Sequence, residues 1–408
     1  MNTIPVLRTR AGSGSGSQGR TAPDGVRRWT ATAAIVAGVI GVAAGVGIGV
    51  RHLQVAGLSA TAGAGLVVMV IGLAFAGGGT ATLVRTVRGW RRWLAVPVGL
   101  LVVWFALWPL TVALMVTHVP PTRLGAATPA DLGTPHEDVT FTTADGVRLS
   151  AWYLPSRNGA AVVLRHGATS TRSATLQQAV VLARSGYGVL ATDARGHGRS
   201  GGDAMDLGWH GDADVAAAVT YLTNRPDVDA GRVAVVGLSM GGEEALGAAA
   251  ADRRILAVIA EGVSTRGIVA DEDLVLPGHP GRWLNIAQTW IQQRLTAAFT
   301  SARPPQDLRA AVVATAPRPV LLITGLAAPG GEVTAGRRLR AAAPTTVTLW
   351  EVADAPHTGG LAARPGQWEA RVVGFLDRAV GPHRRAATPA RMVVPDQHLE
   401  VASASSLR

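Results

Sequence analysis

The sequence predicts a mostly parallel α/β sheet, covered by helices on both faces and preceded by three transmembrane helices. Long uncharged apolar runs occupy the first third of the chain, and short apolar strands alternate with helical segments over most of the remainder. Such alternation is typical of a parallel sheet. One strand also leads through Gly237-Leu238-Ser239-Met240-Gly241 into an Ala-rich helix. With 408 residues, the chain is long enough for more than one domain.

The three apolar runs extend from about Thr30 to Val50, Leu58 to Val84 and Leu94 to Thr117. About 20 residues suffice to cross the hydrocarbon core of a bilayer. Glycine recurs in the first two runs; it disfavours a soluble helix but allows close helix contact in lipid. A cleaved signal peptide is the alternative for the first run, but no small-residue cleavage pattern ends it and two more runs follow. We therefore expect a three-span membrane domain over residues 30–117.

The arginines of this region predict its orientation. Residues 1–117 contain ten arginines and one acidic residue. Nine of the ten arginines precede the first run or lie between the second and third runs: Arg8, Arg10, Arg20, Arg27, Arg28, Arg85, Arg88, Arg91 and Arg92. Because cytoplasmic loops are enriched in arginine, the N-terminus and second loop are predicted to be cytoplasmic. Everything beyond His118 is then extracytoplasmic, at the cell membrane. No nucleic-acid-binding motif accompanies the arginines, which argues against a nucleic-acid partner.

The two ends of the chain are predicted to lack regular structure, and a third segment is predicted to be a linker. Residues 1–29 include a Gly/Ser repeat and form a flexible cytoplasmic tail. Residues 118–135 are a Pro/Gly/Thr-rich linker from the membrane to the outer domain. Residues 381–408 mix Pro, Arg, Ser and Ala without a sustained period, which predicts a disordered C-terminal tail.

Strands and helices alternate between the linker and the C-terminal tail. The predicted strands are Val139–Thr143, Val147–Leu154, Ala161–Arg165, Gly188–Asp193, Val233–Leu238, Ile255–Glu261, Val320–Thr324 and Val347–Val352. The predicted helices are Ala174–Ser185, Asp212–Thr223, Glu243–Ala251, Thr334–Ala342 and Gln367–Ala379. Residues from about 263 to 316 interrupt this rhythm with apolar side chains at helical spacing. They predict a small helical cap insert over the carboxyl edge of the sheet, where ligands bind in such folds.

The Gly237–Gly241 segment has the G-x-S-x-G pattern of a nucleophile elbow, between a β-branched strand and a helix. A serine at the tip of such a strained turn needs neighbours without side chains, so that the helix can pack under the strand. The backbone N–H of Met240, at the start of the helix, is placed to bind a developing oxyanion. An ordinary glycine turn is the alternative interpretation, but the flanking strand and helix favour a nucleophilic Ser239.

Four segments, in the expected order, resemble motifs of the α/β-hydrolase superfamily. Val162–Ala168 resembles the strand that ends in His-Gly, and Thr192–Ser200 resembles the D-x-R-G-x-G-x-S loop. The elbow at Ser239 is the third, and Ala355–Gly359 resembles the terminal histidine loop. The resemblance covers about residues 136–380 and is to esterases and serine-aminopeptidase-like members. It implies an α/β-hydrolase domain there; the N-terminal multi-span anchor is not part of the family pattern.

The resemblance also implies roles for individual residues. His357 is expected to be the general base for Ser239, because it follows the last strand and lies beyond the serine in the chain. The oxyanion hole is expected to use the backbone N–H groups of Met240 and Ala168. His166 is then structural. In this superfamily the turn that holds Asp193, Arg195 and His197 is a scaffold.

The acid that should orient His357 departs from the family pattern. It usually lies about three residues beyond the glycine that ends the penultimate strand, yet no acid follows Gly325 until Glu332. Glu332 is the first candidate, although a helix N-terminal glutamate is also favoured by the helix dipole alone. Glu261 is the alternative acid, and a site without an acid is the third possibility. Asp354 is too close to His357 in sequence to be a first choice.

Two functions remain open at this point. The first is a membrane-anchored serine hydrolase that cleaves an ester, thioester or amide through an acyl-enzyme on Ser239. The second is a non-catalytic or acyl-transferring relative that acts as a membrane-associated binding protein. No metal-binding histidine spacing and no phosphate loop occur, so neither metal nor cofactor is expected. The expected partners are the membrane and a small-molecule, lipid or peptide acyl substrate. In the insert, Trp283, Ile286, Trp290 and Leu276 are consistent either with an apolar acyl pocket or with the insert's own core.

Overall fold

The computed structural model describes residues 24–87, 89–202, 208–264, 266, 281–328 and 331–381. These residues form two compact units. Of the described residues, the helical unit comprises those up to Arg123 together with 202, 208–210 and 281–304, and the sheet unit comprises those in 124–201, 211–266 and 305–381. Residues 1–23 and 382–408 of the predicted tails, and residues 267–280 of the insert with Leu276, lie outside the described residues, whereas 24–29 are helical.

The helical unit contains three helices that are long and apolar enough to cross a membrane: Gly25–Ala56, Ala60–Thr86 and Gly89–Thr117. The prediction of three such helices is confirmed, and the first begins several residues earlier than its apolar run. Their α-helical parts are α1 (Asp24–Ala44), α2 (Arg51–Ala56), α3 (Ala60–Thr86), α4 (Ala95–Val102) and α5 (Trp108–Thr117). Two π-helical segments, Gly45–Val50 and Val103–Leu107, and a 3₁₀ segment, Gly89–Leu94, complete them.

Helices α1 and α3 pack through glycine. A Cβ atom added to Gly72 would lie 2.7 Å from the backbone nitrogen of Val42. Beyond the end of α1, the backbones of Gly49 and Gly65 meet in the same way. Larger side chains at these positions would push the two helices apart, so the small residues set their close contact.

The sheet unit is built on eight strands in the order β1-β2-β4-β3-β5-β6-β7-β8. Strands β1 and β2 form an antiparallel hairpin, β2 pairs antiparallel with β4, and all other neighbours are parallel. The strands are β1 (Glu137–Thr142), β2 (Arg148–Leu154), β3 (Ala161–Arg165), β4 (Gly188–Thr192), β5 (Val233–Leu238), β6 (Ile255–Glu261), β7 (Val320–Gly325) and β8 (Val347–Val352). The predicted mostly parallel sheet is therefore confirmed, with strand ends within two residues of those expected.

Helices cover both faces of this sheet. They are α6 (Leu176–Arg184), α7 (Gly211–Thr223), α8 (Met240–Ala251), α10 (Leu308–Thr315), α11 (Glu332–Ala342), α12 (Gly360–Ala363) and α13 (Pro365–Ala379). Residues of α7, α8, α10 and α11 form one apolar cluster with the sheet, and residues of α6 and α13 form a second cluster. The five central strands β3 to β7 are almost wholly buried, as parallel strands covered on both faces should be.

The predicted linker contributes ordered structure to the sheet unit. Pro129–Leu132 forms a 3₁₀ turn, and Thr128 and Asp131 cap its start reciprocally. Leu124 and Leu132 pack against the apolar cluster that contains α6 and α13. The apolar side chains of this segment are thus buried by the sheet unit, which its Pro/Gly/Thr composition did not indicate.

The described part of the insert is mainly helix α9 (Arg282–Phe299), which belongs to the helical unit. It packs against α5 and the π-helical turn before it. The side chains of Trp283 and Trp290 are 66% and 48% exposed. They are therefore not the insert's own core, which was one of the two interpretations that the sequence allowed.

Candidate active site

Ser239 occupies the sharp turn between β5 and α8. Its backbone is strained, with φ 53° and ψ −124°, a conformation that non-glycine residues rarely adopt. A Cβ added to Gly241 would lie 2.6 Å from the carbonyl oxygen of His166, so only glycine fits there. The backbone N–H of Ser239 donates to the carbonyl of Glu261 at 2.7 Å, which ties the turn to the neighbouring strand. These contacts hold the serine hydroxyl at the carboxyl edge of the sheet.

The side chains of Ser239, His357 and Glu332 form one hydrogen-bonded chain. The Nε2 atom of His357 lies 2.9 Å from Oγ of Ser239, and its Nδ1 atom lies 2.7 Å from Oε2 of Glu332. A carboxylate only accepts, so Nδ1 is the protonated nitrogen and Nε2 of the neutral ring is free to accept the serine proton. The structure thus brings together three residues that are 25 and 118 positions apart in the chain.

Glu332 is the first residue of α11, and its carboxylate is buried. Its Oε1 atom accepts the backbone N–H of Gly325 at 2.9 Å, at the end of β7. One oxygen therefore fixes the carboxylate to the sheet while the other faces His357. The helix N-terminus also stabilises negative charge there. The hydrogen bond that the His357 ring donates to Glu332 raises the pKa of His357, and partial burial of the ring opposes this shift.

Glu261 lies close to the same loop but has different partners. Its Oε1 atom accepts the backbone N–H of Gly360 at 2.7 Å, and its Oε2 atom accepts the indole N–H of Trp368 at 3.0 Å. Burial raises the pKa of this carboxyl, while the two hydrogen bonds oppose the shift. Glu261 therefore ties the segment after His357 to the end of β6, whereas the carboxylate beside Nδ1 of His357 is that of Glu332.

The two expected oxyanion donors belong to segments that meet at Ser239. Met240 directly follows the serine and begins α8. Gly167 approaches the serine so closely that an added Cβ would lie 3.0 Å from the serine Cβ, and Ala168 is the next residue. The segments that carry Ala168 and Met240 therefore meet beside the nucleophile, which is where an oxyanion hole for a tetrahedral intermediate would have to lie.

A model of the X-Pro dipeptidyl-peptidase (S15) family matches residues 145–367, more than half of the chain. The chain belongs to the S15 family. The matched segment contains the candidate site residues Ala168, Ser239, Met240, Glu261, Glu332 and His357. The fold is accordingly that of the α/β-hydrolases, and the resemblance stated from the sequence is confirmed.

One solved structure and two curated proteins are similar to parts of this chain. The Pyrococcus furiosus esterase Pf2001 has a TM-score of 0.51 and 29% identity, over 65% of this chain and 99% of its own. Uncharacterized protein Rv2307c of Mycobacterium tuberculosis is 38% identical over 115 residues, 28% of this chain and 40% of that protein. Polyketide transferase grgF of Penicillium sp is 36% identical over 130 residues, 31% of this chain and 44% of its own length. The matched regions therefore cover less than half of these two curated relatives, and the hydrolase assignment rests on the S15 family and on the esterase.

In this S15 chain, the other polar residues singled out from the sequence are buried in the scaffold. His166 accepts the backbone N–H of Ala194 through Nε2, at 2.9 Å, and its Nδ1 donates to the carbonyl of Gly167, at 2.7 Å. Burial holds its pKa well below the usual value, so the ring is neutral. These two hydrogen bonds of His166 join the Gly167–Ala168 segment to the loop after β4, which is the structural role expected for His166.

The turn at Asp193 is likewise occupied by its own contacts. The Asp193 carboxylate accepts from the backbone N–H groups of Arg172 and Arg199 and from the Arg172 guanidinium, between 2.9 and 3.0 Å. Arg195 is paired with Asp214 and Asp145, at 2.6 and 2.8 Å. The buried His197 ring bonds through Nδ1 to the carbonyl of Arg195 at 2.9 Å. None of these contacts reaches Ser239 or His357.

A buried ion pair lies beneath the elbow. Arg165, the last residue of β3, donates from Nε and Nη2 to one oxygen of Glu244 on α8, at 2.9 and 2.6 Å. The two side chains are 1% and 2% exposed. Because β3 leads into Ala168 and α8 begins at Met240, this pair joins the two segments that carry the expected oxyanion donors.

Glu243 is a residue of the site that the sequence analysis missed. It follows Ser239 by four residues, one helical turn, and accepts from the backbone N–H and the hydroxyl of Ser264, at 3.3 and 3.4 Å. Burial raises the pKa of its carboxyl to about 7, and its charge contributes to the raised pKa of His357. The four-residue spacing from the nucleophile was the available signal. Among the residues that the structure describes, no group of three metal-ligating side chains is placed to hold a metal.

Proposed function

We propose that this S15-family chain is a membrane-anchored serine hydrolase that cleaves an ester, thioester or amide through an acyl-enzyme on Ser239. The observation that carries the proposal is the continuous hydrogen-bonded chain from Ser239 through His357 to the buried Glu332. A serine hydroxyl becomes an effective nucleophile when a positioned base takes its proton. The strained backbone of Ser239 adds support, since such strain is concentrated at functional sites.

In the first half-reaction Oγ of Ser239 attacks the acyl carbonyl carbon while Nε2 of His357 takes the hydroxyl proton. The backbone N–H groups of Met240 and Ala168 bind the carbonyl oxygen as it becomes negative. Glu332 keeps the proton on Nδ1 and stabilises the imidazolium that forms. The bond to the leaving group then breaks, and His357 returns its proton to the leaving alcohol, thiol or amine.

In the second half-reaction a water molecule attacks the acyl-enzyme carbonyl and Nε2 of His357 takes its proton. The ester bond to Ser239 breaks, the acid product leaves, and the serine oxygen recovers the proton from His357. The cycle consumes one water and regenerates every protein group. No metal or redox cofactor takes part in any step of this proposal.

Acyl transfer is the second candidate, and a specific similarity favours it. The relative from Penicillium is named a polyketide transferase. The same acyl-enzyme on Ser239 would pass its acyl group to a hydroxyl or amine acceptor in place of water. A transferase of this kind needs the same serine, base and oxyanion donors, so hydrolysis and transfer are distinguished by the acceptor alone.

Labelling with a fluorophosphonate tests the nucleophile, because the probe reacts with activated serines and not with ordinary hydroxyls. The parent chain in detergent is expected to be labelled, and Ser239→Ala is expected to abolish the label. Ser301→Ala removes another, exposed serine and should leave labelling unchanged. An unlabelled parent, or equal labelling of Ser239→Ala, would sink the proposal.

The proposed anchor and its orientation rest on the three long apolar helices and on the arginines at their ends. The chain contains no cysteine, so single-cysteine variants need no background removal. Glu369→Cys, on the exposed face of α13, should react in intact cells with a membrane-impermeant maleimide. Trp90→Cys, in the 3₁₀ segment at the start of the third helix, should be protected. The opposite pattern would reverse the orientation.

A further inference from the structure

Helix α9 has its polar and apolar faces reversed relative to a helix that is exposed to water. Its exposed positions recur at helical spacing along one face: Trp283, Leu284, Ala287, Trp290, Arg294, Ala298 and Phe299. Its buried positions are polar: Gln288, Gln293 and Thr296. In water, burial of each large apolar side chain would be strongly favoured. A helix that exposes them and buries amides is suited to an apolar solvent.

The surroundings of α9 identify that solvent. The helix packs against α5 and the π-helical turn before it, both parts of the third long apolar helix. Beyond Arg91 and Arg92 at its start, the exposed side chains of that helix are also apolar and include Leu100, Trp104 and Trp108. The apolar face of α9 therefore belongs to the helical unit, whose other exposed apolar surfaces are proposed to contact lipid. We take a lipid bilayer as the partner of this face.

The composition of the face indicates the depth of insertion. Tryptophan is enriched at the membrane–water interface, where its ring lies in the apolar region and its N–H reaches polar groups. The guanidinium of Arg294 lies 5.2 Å from the centre of the Trp290 ring, and α9 contains no acidic residue. An exposed arginine amid apolar side chains is suited to a lipid phosphate, since its stem stays in the apolar region while the charge reaches the headgroup.

The point of contact indicates the leaflet. Helix α5 is the carboxyl-terminal end of the third apolar helix and ends at Thr117. With the N-terminus in the cytoplasm, that end lies on the outer side of the membrane. The edge-to-face contact between Phe299 of α9 and His118, at 6.0 Å, places the end of α9 beside the point where the chain leaves the span.

We propose that α9 is an interfacial membrane helix, with its Trp283–Phe299 face inserted among the lipids of the outer leaflet. The inference rests on the membrane anchoring proposed above, and it is independent of the role of Ser239. It assigns a segment between β6 and β7 of the hydrolase sheet to the membrane surface. The insert then attaches the sheet unit to the bilayer at a second place, in addition to the spans.

Spin labels on single cysteines test this proposal in the full chain, reconstituted in vesicles of phosphatidylcholine and phosphatidylglycerol. Leu284→Cys and Trp290→Cys report on α9. Leu100→Cys, on an exposed face of the third apolar helix, is the lipid reference. Arg337→Cys, on the exposed side of α11, is the water reference. The measurement compares collision of each label with oxygen, which partitions into lipid, and with a water-soluble nickel complex.

The two α9 labels are expected to resemble Leu100→Cys, with oxygen collisions several-fold more frequent than nickel collisions, and to lie nearer the headgroups. If they match Arg337→Cys while Leu100→Cys reports lipid, the proposal for α9 is wrong and the anchor stands. If Leu100→Cys also reports water, the anchoring itself is wrong and the α9 proposal fails with it. Retained fluorophosphonate labelling of each variant shows that the sheet unit is folded.

Discussion

The helical unit and the sheet unit use opposite residues for their interiors and their surfaces. In the sheet unit apolar side chains are buried in two clusters, and buried ions form pairs such as Arg165–Glu244 and Arg172–Asp193. In the helical unit the closest contacts are between glycines, and large apolar side chains such as Leu100 and Trp108 are exposed. The sheet unit therefore has the pattern of a protein folded in water, and the helical unit that of a protein folded in lipid.

This difference teaches where single side chains matter most in each unit. In the sheet unit, function and stability depend on polar atoms that must be paired at fixed distances. In the helical unit, they depend on the absence of side chains at a few positions. Helix α9 extends the exposed apolar surface of the helical unit into an insert of the hydrolase sheet.

The largest effect is expected in the sheet unit, from Glu332→Gln. The amide can no longer stabilise an imidazolium, so we expect kcat for ester hydrolysis to fall by about 10³–10⁴-fold with little change in KM. The matched variant is Glu261→Gln, because that carboxylate also lies beside the histidine loop but bonds Gly360 and Trp368. Its main effect should be a lower unfolding temperature. Equal losses of kcat in the two variants would contradict the different roles given to Glu332, the acid that orients His357, and to Glu261, which supports the histidine loop.

The buried ion pair gives the next effect. Arg165→Met leaves the Glu244 carboxylate buried without its partner, a change that typically costs about 3–5 kcal/mol of unfolding free energy. We expect a clear fall in the unfolding temperature of the sheet unit, measured by calorimetry on the full chain. Arg337→Met breaks an exposed pair with Glu351 and should leave that temperature unchanged. A thermally unchanged Arg165→Met would show that the pair is not needed to hold β3 to α8.

Packing of α1 against α3 gives a smaller effect. Gly72→Leu inserts a side chain where even a Cβ meets the Val42 backbone, and such overpacking costs about 1–3 kcal/mol. Gly77→Leu is the control, because a Cβ there meets nothing within 4 Å. Energy transfer between dyes at Gly25→Cys and Trp90→Cys, followed during an SDS titration, should show an earlier loss of helix contact for Gly72→Leu alone. Equal midpoints would argue against packing through glycine.

The pH dependence is the smallest expected effect. Because Glu332 raises the pKa of His357, the base remains protonated and inactive to a higher pH than a free histidine, whose pKa is 6.5. The acidic limb of kcat/KM should therefore have its midpoint above pH 6.5. Glu332→Gln should move this midpoint to lower pH, whereas Glu369→Gln, on the exposed side of α13, should leave it in place. If the midpoint of the acidic limb does not change in Glu332→Gln, the result would contradict the His357–Glu332 contact.

The sequence was sufficient for the regular parts of the sheet unit. Strands β3, β5 and β6 are apolar β-branched runs bounded by polar or glycine-rich segments, and their predicted and observed limits coincide. The elbow was equally clear, because Gly237 and Gly241 have a steric reason to be glycine. Local pattern and local structure agree at these positions, so the period of the side chains is enough to predict them.

The acid and the insert needed three-dimensional information. Glu261 ends β6 and Glu332 follows the neighbouring strand β7, and the hydrogen bonds of Glu332 to Gly325 and His357 show which carboxylate reaches the histidine. No periodic pattern in the sequence predicts these two contacts. For α9, helical spacing indicated a helix but not which face is buried, and its apolar side chains turned out to be the exposed ones. A pattern of residue types does not show whether water or lipid surrounds each face of a helix.

The central claim is that Ser239 carries the acyl group during turnover. A slowly hydrolysed nitrophenyl ester, mixed with the full chain and quenched in acid, should leave an acyl adduct of the expected mass, confined to the peptide that contains Ser239. The adduct should be absent from Ser239→Ala and should accumulate in step with an initial burst of nitrophenol. Turnover of the ester with no adduct at Ser239, or with an adduct on another residue, would contradict the account.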